Sequence, residues 1–115
     1  MDFTTQLFKA LAEPVRLRIL TLLLEGERCV CELMAVLDLP QSTISRHLAY
    51  MKNAGWVDGE RRGVWMYYRL TENKDKFRQG LRQVLAKHLP RTEVGAADLL
   101  RLQSYLRENK CNACL

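Results

Sequence analysis

The sequence contains little proline or glycine and no long apolar run. Only 3 of its 115 residues are proline and 6 are glycine, and the absence of Ser- or Gly-rich tracts argues against a disordered linker or a fibrous protein. The apolar stretch at residues 19–24 is far shorter than the ~20 residues that a membrane span needs. The first residues lack a basic segment leading into an apolar one, so no secretory signal is expected. We therefore expect a cytoplasmic protein with no membrane partner.

The composition fits one domain with a basic surface. With 48% hydrophobic residues the chain can build one core, and a domain of this size gains from dimerisation because it buries only about two thirds of its unfolded surface. The net charge of +5 and an isoelectric point of about 9.2 suit a polyanionic partner such as nucleic acid. No phosphate-binding loop or carboxylate pair is present, so we expect no enzyme.

Apolar residues recur at helical spacing through most of the chain. A short amphipathic helix is predicted over residues 3–12, and a core helix, apolar over most of its surface, from Pro14 to Gly26. Helical spacing returns after Thr71 up to Pro90, and again over residues 96–108. We assign residues 1–108 to one domain and residues 109–115, which have no period, to a flexible tail.

The middle of the chain predicts a winged helix-turn-helix. Short helices over residues 31–38 and 42–53 are separated by a tight turn, which is the helix-turn-helix arrangement. Residues 56–61 and 64–70, rich in β-branched and aromatic side chains, flank Arg62-Gly63 and predict a β-hairpin with a basic tip. The fold class is therefore mainly α with a β-hairpin wing (α+β).

Polar side chains at the start of the second motif helix predict a DNA-reading surface. Gln pairs with adenine edges, Arg with guanine, and Ser or Thr with base edges or phosphates. The N-terminal end of such a helix points into the major groove. The two arginines of the wing are suited to straddle a phosphate, although a charged tip also keeps a sheet edge soluble. The candidate DNA-binding residues are Gln41, Ser42, Thr43, Ser45, Arg46, His47, Arg61 and Arg62.

Four cysteines occur in two close pairs, Cys29-x-Cys31 and Cys111-x-x-Cys114. In a reducing compartment, such pairs indicate metal binding or redox chemistry rather than disulfide staples. Residues two apart on a regular helix point to different sides, so chelation by Cys29 and Cys31 requires a non-helical or unwound helix start. Because this start adjoins the recognition helix, we predict that ion binding biases its arrangement and so misplaces residues 41–47.

Together these features resemble the arsenic-repressor (ArsR/SmtB) family of bacterial metal-sensing regulators. The resemblance covers roughly residues 5–70 and is carried by residues 11–20, 29–33, 41–48 and 54–57 with the wing after them. It implies a homodimer that binds a palindromic operator in double-stranded DNA and represses until an ion binds. It also implies that the first and last helices build the dimer interface, here Phe3, Leu7 and Phe8 with the leucines of residues 99–106.

The pair Cys29-x-Cys31 resembles the family's site for arsenite and antimonite, or for cadmium and lead. Thiolates select thiophilic ions over hard ones. Trivalent arsenic takes three sulfurs, but Met34 stands where the family pattern has a third thiol, and we interpret it as core. The tail cysteines are candidates for the missing donors, from the same chain or the partner, or form a separate site. The predicted inducer is As(III) or Sb(III), with Cd, Pb or Zn as alternatives; the candidate ligands are Cys29, Cys31, Cys111 and Cys114.

Three other interpretations remain open. A repressor of the same fold could sense oxidants through a disulfide. A small oxidoreductase using Cys111-x-x-Cys114 would need that pair at a helix N-terminus beside a sheet, whereas here it stands near a chain end. A winged helix that binds only protein is disfavoured by the polar face of residues 41–47.

Overall fold

The computed structural model describes residues 2–72 and 75–108; the tail pair Cys111 and Cys114 lies outside the described residues. The elements are α1 (Phe3–Leu11), α2 (Pro14–Leu23), β1 (Arg28–Cys29), α3 (Val30–Leu37), α4 (Gln41–Asn53), β2 (Val57–Arg62), β3 (Trp65–Leu70), α5 (Lys76–His88), a 3₁₀ turn (Leu89–Arg91) and α6 (Glu93–Glu108). Within the described ranges, no helix combines the length and apolarity needed to cross a membrane.

Helix α2 forms the centre of the core, as its apolar sequence predicts. Pro14 occupies its first turn, where the missing N–H has no helical partner, and the Glu13 carboxylate accepts a hydrogen bond from the Arg16 amide at 2.8 Å. The helix ends at Leu23, a turn earlier than expected, and the chain reverses through Gly26 at φ 132°. Its buried side chains include Ile19, Leu20, Leu22 and Leu23.

Helices α3 and α4 form the predicted helix-turn-helix. Asp38 closes α3 in the left-handed conformation at φ 54°, which an aspartate tolerates better than most residues. The inward face of α4 repeats at spacings of three and four residues. It consists of Ile44, His47, Leu48 and Met51, all buried.

The wing is a three-stranded antiparallel sheet in the order β1-β3-β2. The sequence predicted the hairpin, but its turn lies one residue later than expected: Arg62 pairs with Trp65, and Gly63 supplies the positive φ of 64°. Strand β1 was not predicted, because two residues carry no alternation pattern. It places Cys29 opposite Tyr67 on β3.

The last two helices pack differently on the core of the chain. Helix α6 packs on α2 and α3 of its own chain, and Leu102 is buried there. Its first turn approaches the 3₁₀ turn so closely that a Cβ on Gly95 would lie 2.0 Å from the Leu89 carbonyl oxygen. Helix α5, by contrast, buries none of its residues. Leu102 therefore belongs to the chain's own core, whereas Leu100 and Leu106 are 66% and 38% exposed. The expectation that the leucines of residues 99–106 take part in a dimer interface stays a prediction for these two.

Candidate nucleic-acid interface and thiol site

The N-terminal half of α4 presents a polar outer face. Gln41, Ser42 and Arg46 are exposed, and Thr43 and Ser45 are partly exposed. Because Ile44 and Leu48 anchor the opposite side with no exposure, the helix is held rigidly while its donors and acceptors face outward. This arrangement is the one that a recognition helix needs to reach base edges.

His47 does not belong to that outer face. It is 9% exposed, and its Nδ1 lies 3.4 Å from Arg16 Nη1 and 3.8 Å from Glu13 Oε2, both at the start of α2. Burial lowers the pKa of His47, an effect opposed by Glu13 and reinforced by Arg16 and Arg46. The structure thus places His47 on the inner face of α4, whereas the sequence placed it among the outward polar side chains. Its position three residues after the buried Ile44 was the sequence signal for an inward side chain. A role for His47 in DNA binding stays a prediction.

The two arginines of the wing differ in their surroundings. Arg61 is exposed and makes no ion pair within the part of the chain that the structure describes. Arg62 is held by Glu27 in a bidentate ion pair, with N–O distances of 2.7 and 3.0 Å, and by Glu60 at 3.2 Å. Its guanidinium also stacks over the Tyr67 ring at 4.6 Å. The hydrogen bonds that Arg62 donates to these carboxylates raise its pKa.

Cys29 and Cys31 converge at the start of α3. Cys29 is the last residue of β1 and the N-cap of the helix, with extended backbone at φ −72° and ψ 147°. Cys31 lies in the first helical turn, and the two Cα atoms are 5.2 Å apart. Since Cys29 is not helical, both sulfurs reach one point without unwinding α3. The structure joins them in a disulfide, where reduced thiols were expected.

The Cys29 sulfur also caps the helix. It accepts a hydrogen bond from the Cys31 amide at 3.3 Å, and the Glu32 carboxylate accepts one from the Cys29 amide at 2.8 Å. This is a capping box with cysteine in the place usually taken by Ser or Thr. Glu32 was not selected as a site residue from the sequence, although its spacing of three from Cys29 is the signal for such a box.

Among the described residues, no third thiol lies beside these sulfurs. Met34 is partly buried and packs against the core, as predicted. Within residues 2–72 and 75–108, no group of three or more His, Cys, Asp or Glu side chains is arranged to hold a metal ion. Any further thiol ligand must therefore come from outside the described residues or from a second chain.

Comparison with known proteins places this geometry in a family. Residues 13–58, which span α2 to the start of β2, match the family described as "Bacterial regulatory protein, arsR family". Over 65 residues the chain is 54% identical to the arsenic resistance transcriptional regulator ArsR1 of Pseudomonas putida, covering 55% of this chain and 50% of the relative. It is 49% identical over 67 residues to the arsenical resistance operon repressor of Escherichia coli, covering 57% of each chain.

A solved structure extends the similarity over most of the fold. The homodimeric winged helix-turn-helix DNA-binding domain of Mb0332 from Mycobacterium bovis superposes with a TM-score of 0.63 at 34% identity, covering 80% of this chain and 86% of that one. The chain spans about half the length of the curated relatives that it matches. With a winged helix-turn-helix and this level of identity, the chain belongs to the arsR family of bacterial regulatory proteins.

Proposed function

We propose that this protein is a cytoplasmic, homodimeric transcriptional repressor that leaves its double-stranded DNA operator when a thiophilic ion binds. The inducer is arsenite or antimonite, As(III) or Sb(III), and it bonds to Cys29, Cys31 and a third sulfur that Cys111 or Cys114 supplies. The observation that carries this proposal is the convergence of the two sulfurs at the N-terminus of α3, the helix that directly precedes the recognition helix α4. We propose no catalytic activity.

The DNA surface consists of the outer face of α4 and the tip of the wing. Gln41, Ser42 and Arg46 contact base edges or phosphates in the major groove, with Thr43 and Ser45 beside them. In the wing, Arg61 contacts the phosphate backbone directly, since no carboxylate of the described residues holds it. Arg62 must first leave Glu27, as argued below.

A second copy covers the apolar surface that α5 leaves open. Phe77 and Val84, on one side of α5, are 48% and 64% exposed, and Phe8 of α1, which meets Phe77 edge to face at a centroid distance of 6.3 Å, is 46% exposed. Large apolar side chains clustered at the surface mark an association site. The homodimeric relative from M. bovis supports a second copy as the occupant.

Two converging sulfurs are the core of a site for a trivalent, thiophilic ion. Each thiol that bonds to arsenous acid displaces one hydroxide, which leaves as water with the thiol proton, so no electron is transferred. Arsenic takes three sulfurs, whereas Cys29 and Cys31 supply two. The disulfide between them must be reduced by a dithiol before the ion can bind.

The direction of α6 favours a third sulfur from the same chain. Helix α6 runs antiparallel to α3. Arg101 of α6 donates a hydrogen bond to the Val36 carbonyl near the end of α3, at 3.3 Å. One turn later along α6, Tyr105 lies near Glu32 at the start of α3, and its pKa is raised by its burial and, second, by the Glu32 charge. A further turn along α6 leads towards the start of α3. Cys111 follows Glu108 by three residues, a reach of at most ~10 Å. Cys111 and Cys114 are therefore the nearest candidates for the missing donors.

Ion binding at this point acts on two elements at once. Cys29 belongs to β1, and its sulfur caps α3. In the ion complex an As–S bond would take the place of the S–H bond and fix the direction of the sulfur's lone pairs, which weakens the hydrogen bond that Cys29 accepts from the Cys31 amide. Because α3 is joined to α4 by only three residues, a shift of α3 changes the position of the recognition helix.

Two alternatives use the same sulfurs. A divalent soft ion, Cd, Pb or Zn, would use all four cysteines, since zinc prefers four donors. A redox switch is favoured by the disulfide itself: peroxide would take two electrons and two protons from the dithiol, leaving Cys29–Cys31 oxidised and forming water.

The test is DNA affinity in the presence of each candidate inducer. A duplex is first selected from a random library by the reduced wild-type protein, and binding is measured by fluorescence anisotropy with arsenite, antimonite, cadmium, lead, zinc or peroxide. We expect arsenite to weaken binding at least tenfold in the wild type and not in Cys29→Ser or Cys31→Ser. Unchanged affinity with arsenite would refute the arsenic proposal, and a response to peroxide alone would establish the redox alternative.

The tail cysteines are tested in the same assay with Cys111→Ser/Cys114→Ser. We expect the double variant to need a higher arsenite concentration for release. A wild-type response would show that the tail is no ligand. Mixed dimers, in which one chain carries Cys29→Ser and the other the tail double variant, distinguish ligation within one chain from ligation between chains. In such a dimer, intact sites can form only between the chains.

A further inference from the structure

A cluster of four charges joins strands β2 and β3 of the wing to the segment before β1. Glu27 and Glu60 face Arg62 and Arg69, with Arg69 lying 3.6 Å from Glu27 and 3.5 Å from Glu60. Within the cluster, the shortest contacts are the two parallel ones from the Arg62 guanidinium to the Glu27 carboxylate. The cluster has no net charge, so it cancels two of the positive charges that the wing contributes to DNA binding.

Glu27 is also connected to the thiol site through the backbone. It precedes Cys29 by two residues, and Cys29 pairs with Tyr67 across the sheet. Tyr67 is the ring over which Arg62 stacks. Arg62 is thus in contact with two residues that are tied to Cys29, one through the chain and one through the β1–β3 pairing.

A DNA phosphate and the Glu27 carboxylate offer the guanidinium the same bidentate acceptor geometry. Arg62 can therefore bind only one of them at a time. The position of Glu27 decides how readily Arg62 leaves this ion pair to bind a phosphate. Because Glu27 directly precedes β1 in the chain, a movement of β1 also moves Glu27.

We infer that Glu27 is a positioning residue that competes with DNA phosphate for Arg62 and transmits the state of Cys29 and Cys31 to the wing. This inference rests on the proposed function, and it adds a second route to the one through α3 and α4. In the ion-bound protein, β1 holds Glu27 against Arg62; in the DNA complex, Arg62 has moved to the backbone.

The first test compares Glu27→Gln with Glu25→Gln. Both substitutions remove one negative charge, and Glu25 is exposed and makes no ion pair among the described residues, so long-range electrostatic effects largely cancel. We expect Glu27→Gln to strengthen DNA binding of the arsenite-bound protein about two- to fivefold more than Glu25→Gln does. This range is the change in affinity that corresponds to the free energy of one exposed ion pair. In an Arg62→Gln background, this advantage should disappear. Equal effects of the two variants, or an advantage that persists without Arg62, would overturn the inference.

The second test needs neither DNA nor arsenite. The backbone amide resonances of Arg62, Gly63 and Val64 are followed by NMR as the protein passes from the oxidised to the reduced form with a dithiol reductant. We expect these resonances to shift in the wild type and in Glu25→Gln, and to shift less than half as far in Glu27→Gln. If the Cys31 amide responds and the wing does not, the coupling is refuted while the proposed function stands. If the wing responds but arsenite does not release DNA, the ion proposal fails and the coupling remains.

Discussion

Asp98 on α6 accepts two hydrogen bonds from the Arg18 guanidinium on α2, at 2.9 and 3.0 Å, across 80 residues of sequence. Asp98 is completely buried and also accepts from Arg101, which in turn donates to α3. This ion pair raises the pKa of Arg18, mainly through the hydrogen bond to Asp98. One carboxylate thus holds three helices together.

Replacing Asp98 by Asn should therefore destabilise the fold strongly. The substitution keeps the shape but leaves two arginines facing a neutral amide in a site closed to water. We expect a loss of about 3 kcal/mol in the free energy of unfolding, the lower end for a broken buried pair, because both arginines are partly exposed. Urea denaturation measures this loss. Glu93→Gln, an exposed change on the same helix, is the control, and an equally small loss in both variants would contradict a stabilising role for the pair.

Stability should fall in mildly acidic solution because of His47. Its folded-state pKa is lowered below the usual value of 6.5, so between these two pKa values the unfolded chain binds more protons than the native one. The contribution of neutral His47 to the free energy of unfolding is complete above about pH 6.5. It is lost as the pH falls from there through the lower folded-state pKa of His47. Thermal unfolding at a series of pH values should show this loss in the wild type and in His88→Gln, but not in His47→Gln.

The cysteine cap predicts a difference between two small substitutions. Cys29→Ser keeps an acceptor for the Cys31 amide, whereas Cys29→Ala removes it. Under reducing conditions we expect Cys29→Ala to be less stable than Cys29→Ser by about 1 kcal/mol, the typical value of a helix cap. Chemical denaturation with excess reductant gives the comparison. Equal stabilities would show that the sulfur contributes nothing as a cap.

The exposed face of α5 predicts how the dimer can be broken. A glutamate in place of Val84 puts a charge into the apolar surface that we propose as the contact with a second copy. We expect Val84→Glu to be monomeric in sedimentation velocity at micromolar concentration and to lose DNA affinity, since each monomer then binds only one half-site. Gln83→Glu, one residue earlier and also exposed, should remain dimeric. A dimeric Val84→Glu would direct attention to α1 or α6 as the interface.

Short-range patterns account for most of the elements. Each predicted element is present. The signals that predicted them act between residues close in the chain: the helical spacing of Phe3, Leu7 and Leu11, the proline at the start of α2, and the glycine in the wing turn. The polar face of α4 is also local, because the side chains that point away from the core follow from helical period alone. His47 was expected on the polar face because of its chemical type, whereas its position three residues after Ile44 places it on the buried face.

The sequence by itself determined the winged helix-turn-helix, the polar face of α4 and the placement of two cysteines at the start of α3. All three depend on residues that are near one another in the chain. Only the tertiary structure decided the rest. It brought Asp98 to Arg18 and Glu27 to Arg62, packed α6 on α2 and α3, and left the apolar side chains Phe77 and Val84 of α5 exposed. The Asp98–Arg18 and Glu27–Arg62 contacts join residues 80 and 35 positions apart. Such contacts leave no periodicity in the sequence, because they depend on how the helices and strands pack against one another.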